Sequence, residues 1–464
     1  MKRRNGRGAK ADKGDRCEKN MEIEGKSTTV TNRPKQVEEA QSPFEWVKRF
    51  VWSDRMLAAL VSGVKGGKWY ALNDKVCKLG NLTAAWKQVK GNRGGAGVDK
   101  QTVRWFDLYS EMELAKLSRE LQADTYVPRP VKRTWIEKNG SKEMRPLGIP
   151  AVRDRIVQTA LRNAIEPIYE RTFHEHSYGF RPKRGCKDAL RRVEYLLNDG
   201  NHWIVDADIK GYFDSIPHKQ LMDKVSEHIS DGRILKMLNA YLEQDVMDGL
   251  KTWTPEAGTP QGAVISPLLA NIYLNPLDHL MGNKGFEMVR YADDFVILCK
   301  SKEKAEEALA IVAQWTREAG LTLHPVKTRI VDENTDSFEF LGYRFKNGKH
   351  FPRAKSLKKL KDNIREKTLR RNGKSIEEIV KSLNSILQGW YGYFKHSYRT
   401  VHPSVDGWIR HRLRSIQLKR ATKRSRWRFT QNDHKRWPNA YLHALGLFSL
   451  ELAFVAECQS RKRN

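Results

Sequence analysis

The chain has 464 residues, enough for two or three domains with cores of their own. Lys and Arg number 85 against 55 Asp and Glu, a formal charge of +30 that points to a polyanionic partner, nucleic acid before membrane. No run of about 18 apolar residues exists, the basic N-terminus lacks the apolar core of a secretion signal, and Cys17, Cys77, Cys186, Cys299 and Cys458 form no Cys-x-x-Cys pair. These features argue against a bilayer span, a secreted protein and a zinc ribbon, and they suit a reducing, cytoplasmic setting.

In chain order, residues 1–42 are polar with almost no apolar periodicity and read as a disordered tail. Residues 43–80 read as an N-terminal helical extension, and the helical pattern runs on to about Leu121, interrupted by a flexible basic loop over Gly91–Asp99. Tyr126 to Ile149 reads as a two-stranded ribbon turning at Asn139-Gly140. Helices are predicted over 153–171 and 185–198. A buried strand follows at His202–Ala207 and runs into Asp208-Ile-Lys-Gly-Tyr-Phe-Asp214. Helical segments return at 218–245 and 267–280, then an amphipathic helix over 302–319 and short strands near 328–332 and 338–345. From 355 onward the pattern is helical and basic, with no internal repeat along the chain.

Residues 287–298 carry the most chemistry. Asp293 and Asp294 interrupt two apolar strand-like stretches, Met288-Val289 and Phe295–Leu298. Neighbouring side chains on a strand point to opposite faces, so adjacent acids converge only at a bend, and the expectation is a tight hairpin with both acids at its turn. Two like charges there are unfavourable unless a divalent cation lies between them. Asp208 ends the buried strand; if that strand neighbours the hairpin, three carboxylates gather, the donor set for two Mg²⁺ ions about 3.5–4 Å apart. Asp206 and Asp214 compete for the third place. Asp208 is preferred because the main-chain carbonyl of Ile209 beside it could serve as a further ligand.

A series of motifs extends this reading. They are Arg145-Pro-Leu-Gly-Ile-Pro150 with Asp154-Arg155, Ser177-Tyr-Gly-Phe-Arg-Pro182, Asp208–Asp214, Gly258-Thr-Pro-Gln-Gly262 with Ser266-Pro-Leu-Leu-Ala-Asn271, Tyr291-Ala-Asp-Asp294, Gly320-Leu-Thr-Leu with Lys327-Thr328, and Phe340-Leu-Gly-Tyr343. Over roughly residues 80–455 the chain resembles the group II intron-encoded reverse transcriptases, or maturases, with these motifs in the family's order. The resemblance implies an α+β right-hand polymerase: fingers and palm over 81–350, a small antiparallel sheet backed by helices, and a helical thumb, domain X, over 351–464. It implies Asp208, Asp293 and Asp294 as the catalytic, metal-binding triad. Phe213 is implied as the gate against ribonucleotides, with Arg145 and either Lys138 or Lys142 on the incoming triphosphate. Gln261 is implied at the nucleotide's sugar and base, and Gly342 in the primer grip. The implied reaction is attack of a primer 3′-hydroxyl on the α-phosphate of a dNTP, copying intron RNA into DNA.

From residue 351 on there are 27 Lys and Arg against 8 Asp and Glu. Val405, Trp408, Ile409, Leu413 and Ile416 recur at helical spacing, which leaves Arg410, Arg412, Arg414, Lys419 and Arg420 for a cationic face that would bind intron RNA. Trp390-Tyr-Gly-Tyr-Phe394 reads as core more than as a base-stacking platform. The expected partners are group II intron RNA, a DNA target or primer and dNTPs, with no membrane. The resemblance is to the endonuclease-lacking branch. Two other readings stay open: a splicing-only RNA-binding maturase, and a domesticated reverse transcriptase in defence or repair.

Overall fold

Apolar periodicity near 3.6 residues accounts for the helices, and β-branched or aromatic runs between turn residues for the strands. The computed structural model describes residues 46–64, 66–137, 144–370, 373–421 and 431–463. The expected tail over 1–42, the Asn139-Gly140 turn, Lys138 and Lys142 all lie outside the described residues. Helix α1 (Asp54–Ser62) starts at Ser53, whose hydroxyl accepts from the Met56 amide; α2 (Asn73–Cys77), α3 (Leu79–Gly91), α4 (Val103–Leu108) and α5 (Ser110–Gln122) follow. The Gly91–Asp99 stretch, expected to be flexible, is packed. Arg155 donates to the Gly95 carbonyl at 2.5 Å, and a Cβ on Gly97 would meet Ala151 Cα at 2.7 Å.

Strands β1 (Val131–Glu137) and β2 (Met144–Ile149) form the expected antiparallel ribbon, from Lys132 opposite Ile149 to Glu137 opposite Met144. Helices α6 (Val152–Glu170) and α7 (Cys186–Asn198) lead to β3 (Trp203–Asp208), the short α8 (Tyr212–Ser215), α9 (His218–Ser226) and α10 (Gly232–Leu242). A hairpin of β4 (Val246–Asp248) and β5 (Lys251–Trp253) then joins the ribbon, β4 lying parallel to β1. Three-residue strands are too short to show an alternation, and the sequence reading passed over them.

Helix α11 (Ser266–Asn283) precedes the acidic hairpin, β6 (Glu287–Tyr291) and β7 (Asp294–Cys299); α12 (Lys302–Glu318) and β8 (Arg329–Asp332) complete an antiparallel sheet of order β6-β7-β3-β8. Helices α7 and α11 pack on β6, and α12 on β3 and β7. A second meander, β9 (Phe338–Phe340), β10 (Tyr343–Lys346) and β11 (Lys349–Pro352), shares a core with the sheet through Phe338, Phe340, Tyr343 and Phe345. The last helices are α13 (Ala354–Lys367), α14 (Ile376–Phe394), α15 (Val401–Ala421), α16 (Gln431–Arg436), α17 (Asn439–Ala444) and α18 (Leu450–Arg463). They enclose their own core of Leu383, Leu387, Ile409, Leu413 and Leu450, among others. Phe394 at the end of α14 is buried in the sheet's core, and Tyr391 in the helical one. The fold is α+β, small mostly antiparallel sheets carried on helices. Among the described residues no helix is long and apolar enough to cross a membrane.

Candidate active site

The pairing of β3 with β7 sets Asp208 directly opposite Asp294. Facing residues of an antiparallel pair hold their Cβ atoms about 4.5–5.5 Å apart on one side of the sheet. Tyr291 and Asp294 close the β6–β7 hairpin, so Ala292 and Asp293 form its two-residue turn. Ala292 takes φ +62, the positive value that the first turn position of a tight hairpin demands. Asp293 therefore sits in the β6–β7 turn, directly before Asp294.

Burial, then the carboxylates of Asp293, Asp206 and Asp208, push Asp294 up to about 7. Burial likewise raises Asp293, with Asp208 adding to it, while Arg145 and Arg290 pull the other way. Crowded acids of this kind gain most from a cation. The two other acids have partners of their own. Asp206 faces Arg329 across β3–β8 and pairs with it at 3.6 Å. Asp214 instead accepts from Gln261 Nε2 at 2.8 Å and lines a cavity of about 460 Å³ with Arg133, Gly148, Trp253 and Gln261. Asp208 is the one that meets the hairpin. Its carboxylate is held at 2.6 Å by the Lys327 ammonium, a cation already in place on one of the donors. Among the described residues, no three His, Cys, Asp or Glu side chains stand ready-made around a metal position. The acids fit Mg²⁺ by donor type and register.

The segment beyond Asp208 is pinned. Ile209 bridges Leu323, Asp208 accepts from the His324 amide at 2.7 Å, and Lys210 donates to Thr322 at 2.8 Å, so Gly320-Leu-Thr-Leu holds the strand end carrying the acid. Gly211, at φ +58, starts α8 and presents a half-buried Phe213. The Phe213 carbonyl accepts from the Thr259 amide at 2.6 Å, and Gly148 donates to the Gln261 carbonyl at the same distance. The Phe213 turn, the Gly258–Gly262 loop and the β2 strand thus form one connected surface beside the acids. Arg145 is exposed on that strand and acts on Asp293. Gly342 takes φ +82 in the β9–β10 turn, and the neighbouring Leu341 amide hydrogen-bonds Asp294.

The reverse transcriptase (RNA-dependent DNA polymerase) family matches residues 136–345, and the group II intron maturase-specific domain matches 357–437. Protein YkfC of Escherichia coli K12 is 35% identical over 287 residues, covering 53% of this chain and 75% of that protein. The chain belongs to the group II intron-encoded reverse transcriptase and maturase family. The group II intron-encoded protein LtrA of Lactococcus lactis is 39% identical over 196 residues, covering 42% of this chain but only 32% of LtrA. A chain of a partial Cas6-RT-Cas1–Cas2 complex is 24% identical, with a TM-score of 0.33 over 53% of this chain and 41% of that one.

In the segment matched by the maturase-specific domain, the expected RNA-contacting basic residues need correction. Arg414 is 3% exposed and is a packing residue, donating to the Trp437 carbonyl at 2.8 Å and to Asn439 Oδ1 at 2.6 Å. Arg412 is half-buried, donating to Thr368 Oγ1 at 2.6 Å and lying 5.5 Å from the Trp408 ring centre. Arg410 lies 3.9 Å from buried Asp406, its side chain 15% exposed. Of the five, Arg420 is exposed and Lys419 half-buried. The helix spacing was right, but α15 is covered on more sides than a single apolar stripe implies.

Two residues that pack on the acidic turn were given no role from sequence, Gly179 and Arg290. A Cβ on Gly179 would lie 2.8 Å from the Tyr291 carbonyl carbon and 3.0 Å from Ala292 Cα, so the Ser177–Pro182 motif leans its glycine on the acidic turn. Arg290, a charge directly after the apolar Met288-Val289 pair and two positions before that turn, was the visible signal.

Proposed function

We propose that this protein is an RNA-directed DNA polymerase that copies group II intron RNA into DNA and binds that RNA to assist splicing and mobility. The supporting observation is the register of Asp208 against Asp294, with Asp293 in the adjoining hairpin turn and Arg145 acting on it. Asp208, Asp293, Asp294 and the Ile209 carbonyl would hold two Mg²⁺ ions, which when bound acidify a primer 3′-hydroxyl and offset charge on a leaving pyrophosphate. Arg145 would take the triphosphate of a dNTP. Gln261, fixed by Asp214, would meet the sugar edge, and Phe213 would fill the space of a ribose 2′-hydroxyl. The turn at Gly342 would receive the primer strand close to its backbone. We read fingers and palm at 81–350 and a thumb after them, with exposed basic residues such as Arg420 contributing to RNA affinity.

One observation favours a splicing-only RNA-binding protein instead: the maturase-specific domain matches residues 357–437. Primer extension on an RNA template separates the two. Wild-type protein should extend, whereas Asp293→Asn and Asp208→Asn should not, with RNA affinity unchanged in both. Extension by either variant at the wild-type rate would overturn the triad; no extension by the wild type would leave the splicing reading.

A further inference from the structure

Arg290 is fully buried, at 0% exposure, and follows the apolar pair Met288-Val289 in β6. One edge of its guanidinium, Nε and Nη2, donates to both carboxylate oxygens of Asp278 at 2.7 and 2.5 Å. The remaining nitrogen, Nη1, donates to Asn271 Oδ1 at 2.9 Å and to the carbonyl of Ala292 at 2.8 Å. Asn271 completes the net by donating to the Gly179 carbonyl at 2.8 Å. Asp278 and Asn271 both belong to α11, and Ser266 at the start of that helix donates to the Pro260 carbonyl at 2.9 Å. The acidic turn and the Gly258–Gly262 loop are therefore both referred to one helix.

A buried ion pair is a poor way to gain stability, because apolar residues of similar volume commonly do as well or better. What it supplies is geometry, since a planar fork held along one edge points its other nitrogen in a fixed direction. We propose that Arg290 is a positioning residue for nucleotidyl transfer: clamped by Asp278 and Asn271, it fixes the Ala292 carbonyl and so sets where Asp293 and Asp294 stand relative to Asp208 and to Gln261. This deepens the polymerase reading and rests on it. Burial works against the Arg290 charge, and Asp278 more than offsets that, so the fork remains a cation.

The test separates position from stability. The double variant Arg290→Met with Asp278→Leu removes both charges together, so RNA affinity should stay near wild type and thermal stability should fall only by what the Ala292 carbonyl and Asn271 Oδ1 lose with their donor, with no unpaired charge left inside. The Ala292 carbonyl loses its anchor, and single-turnover primer extension should fall by about 100-fold, the scale of an ångström-sized misplacement. Mn²⁺ titration of the same protein, followed by electron paramagnetic resonance, should show weakened binding at the acids, with Asp294→Asn as the reference for loss. A folded double variant that extends and binds Mn²⁺ as the wild type does would overturn the proposal. If the double variant does not fold, Arg290→Lys is read by the same two measures, because an ammonium cannot hold Asp278 along an edge and Ala292 at once; wild-type behaviour there also overturns it. If the wild type itself fails to extend primers, the polymerase reading falls, and the Mn²⁺ titration alone decides the positional one.

Discussion

Replacing Gly179 with Ala tests the site from the side opposite Arg290. The added Cβ would sit 2.8 Å from the Tyr291 carbonyl carbon, where ordinary contact begins at 3.4 Å, and Ala292 N lies nearer still. All the neighbours are backbone, so no side chain can swing aside and the turn itself must move by more than half an ångström. Overpacking of this kind costs about 1–3 kcal/mol of stability. Misplacing reacting groups by an ångström costs about 100-fold in rate, so primer extension by Gly179→Ala should fall by at least about ten-fold. Gly389→Ala is the control: nothing lies within 4 Å of its Cβ in α14, and the change should add about 0.5–1 kcal/mol. The assay is single-turnover extension of a DNA primer on an RNA template, beside thermal melts and RNA binding. Gly179→Ala extending at the wild-type rate would refute the claim that this close approach sets the turn.

Glu166, on buried α6, is pushed from 4.5 up to about 7 by burial, with Arg162 opposing and Glu170 adding to it. A carboxyl raised on folding binds its proton more tightly in the folded state, so its stabilising effect is full below about pH 4.5 and is lost as pH rises through 7. The loss amounts to about 3 kcal/mol, and Glu166→Gln should abolish that part of the pH dependence in denaturant titrations. Arg414→Met should cost about 2 kcal/mol or more by leaving the Trp437 carbonyl without its donor, while Arg420→Met should stay within about 0.5 kcal/mol. Salt titration of RNA binding should show the reverse order, with Arg420→Met lowering the slope by about 1 and Arg414→Met leaving it unchanged. Phe213→Ala should raise ribonucleotide incorporation relative to deoxynucleotide by about ten-fold or more, read from competing-nucleotide extension.

Much of the fold was legible because its signals are local. Apolar periodicity marked α6, α7, α11 and α12, and the acid pair inside an apolar run marked the β6–β7 hairpin. The β4–β5 hairpin was missed because three-residue strands carry no pattern, and β4 pairs with β1, more than a hundred residues away. The Gly91–Asp99 loop read as flexible because glycine-rich sequence looks the same whether it is free or pressed against a helix start. In the site, Asp208 could be preferred over Asp206 and Asp214 but not separated from them by residue type; of the three, Asp208 faces Asp294 in register, while Asp206 pairs with Arg329 and Asp214 with Gln261.

By itself the amino-acid sequence determined the family, the α+β class and the acids on which the proposed chemistry depends, because motif order and strand or helix period are written in neighbouring residues. Only the tertiary structure decided that Lys327 sits on Asp208, that Arg290 ties the acidic turn to α11, and that Arg414 is a packing residue instead of an RNA contact. Each of those rests on partners brought together by sheet register and helix packing, and a charged side chain looks the same in sequence whether its partner is a phosphate, a carboxylate or a backbone carbonyl.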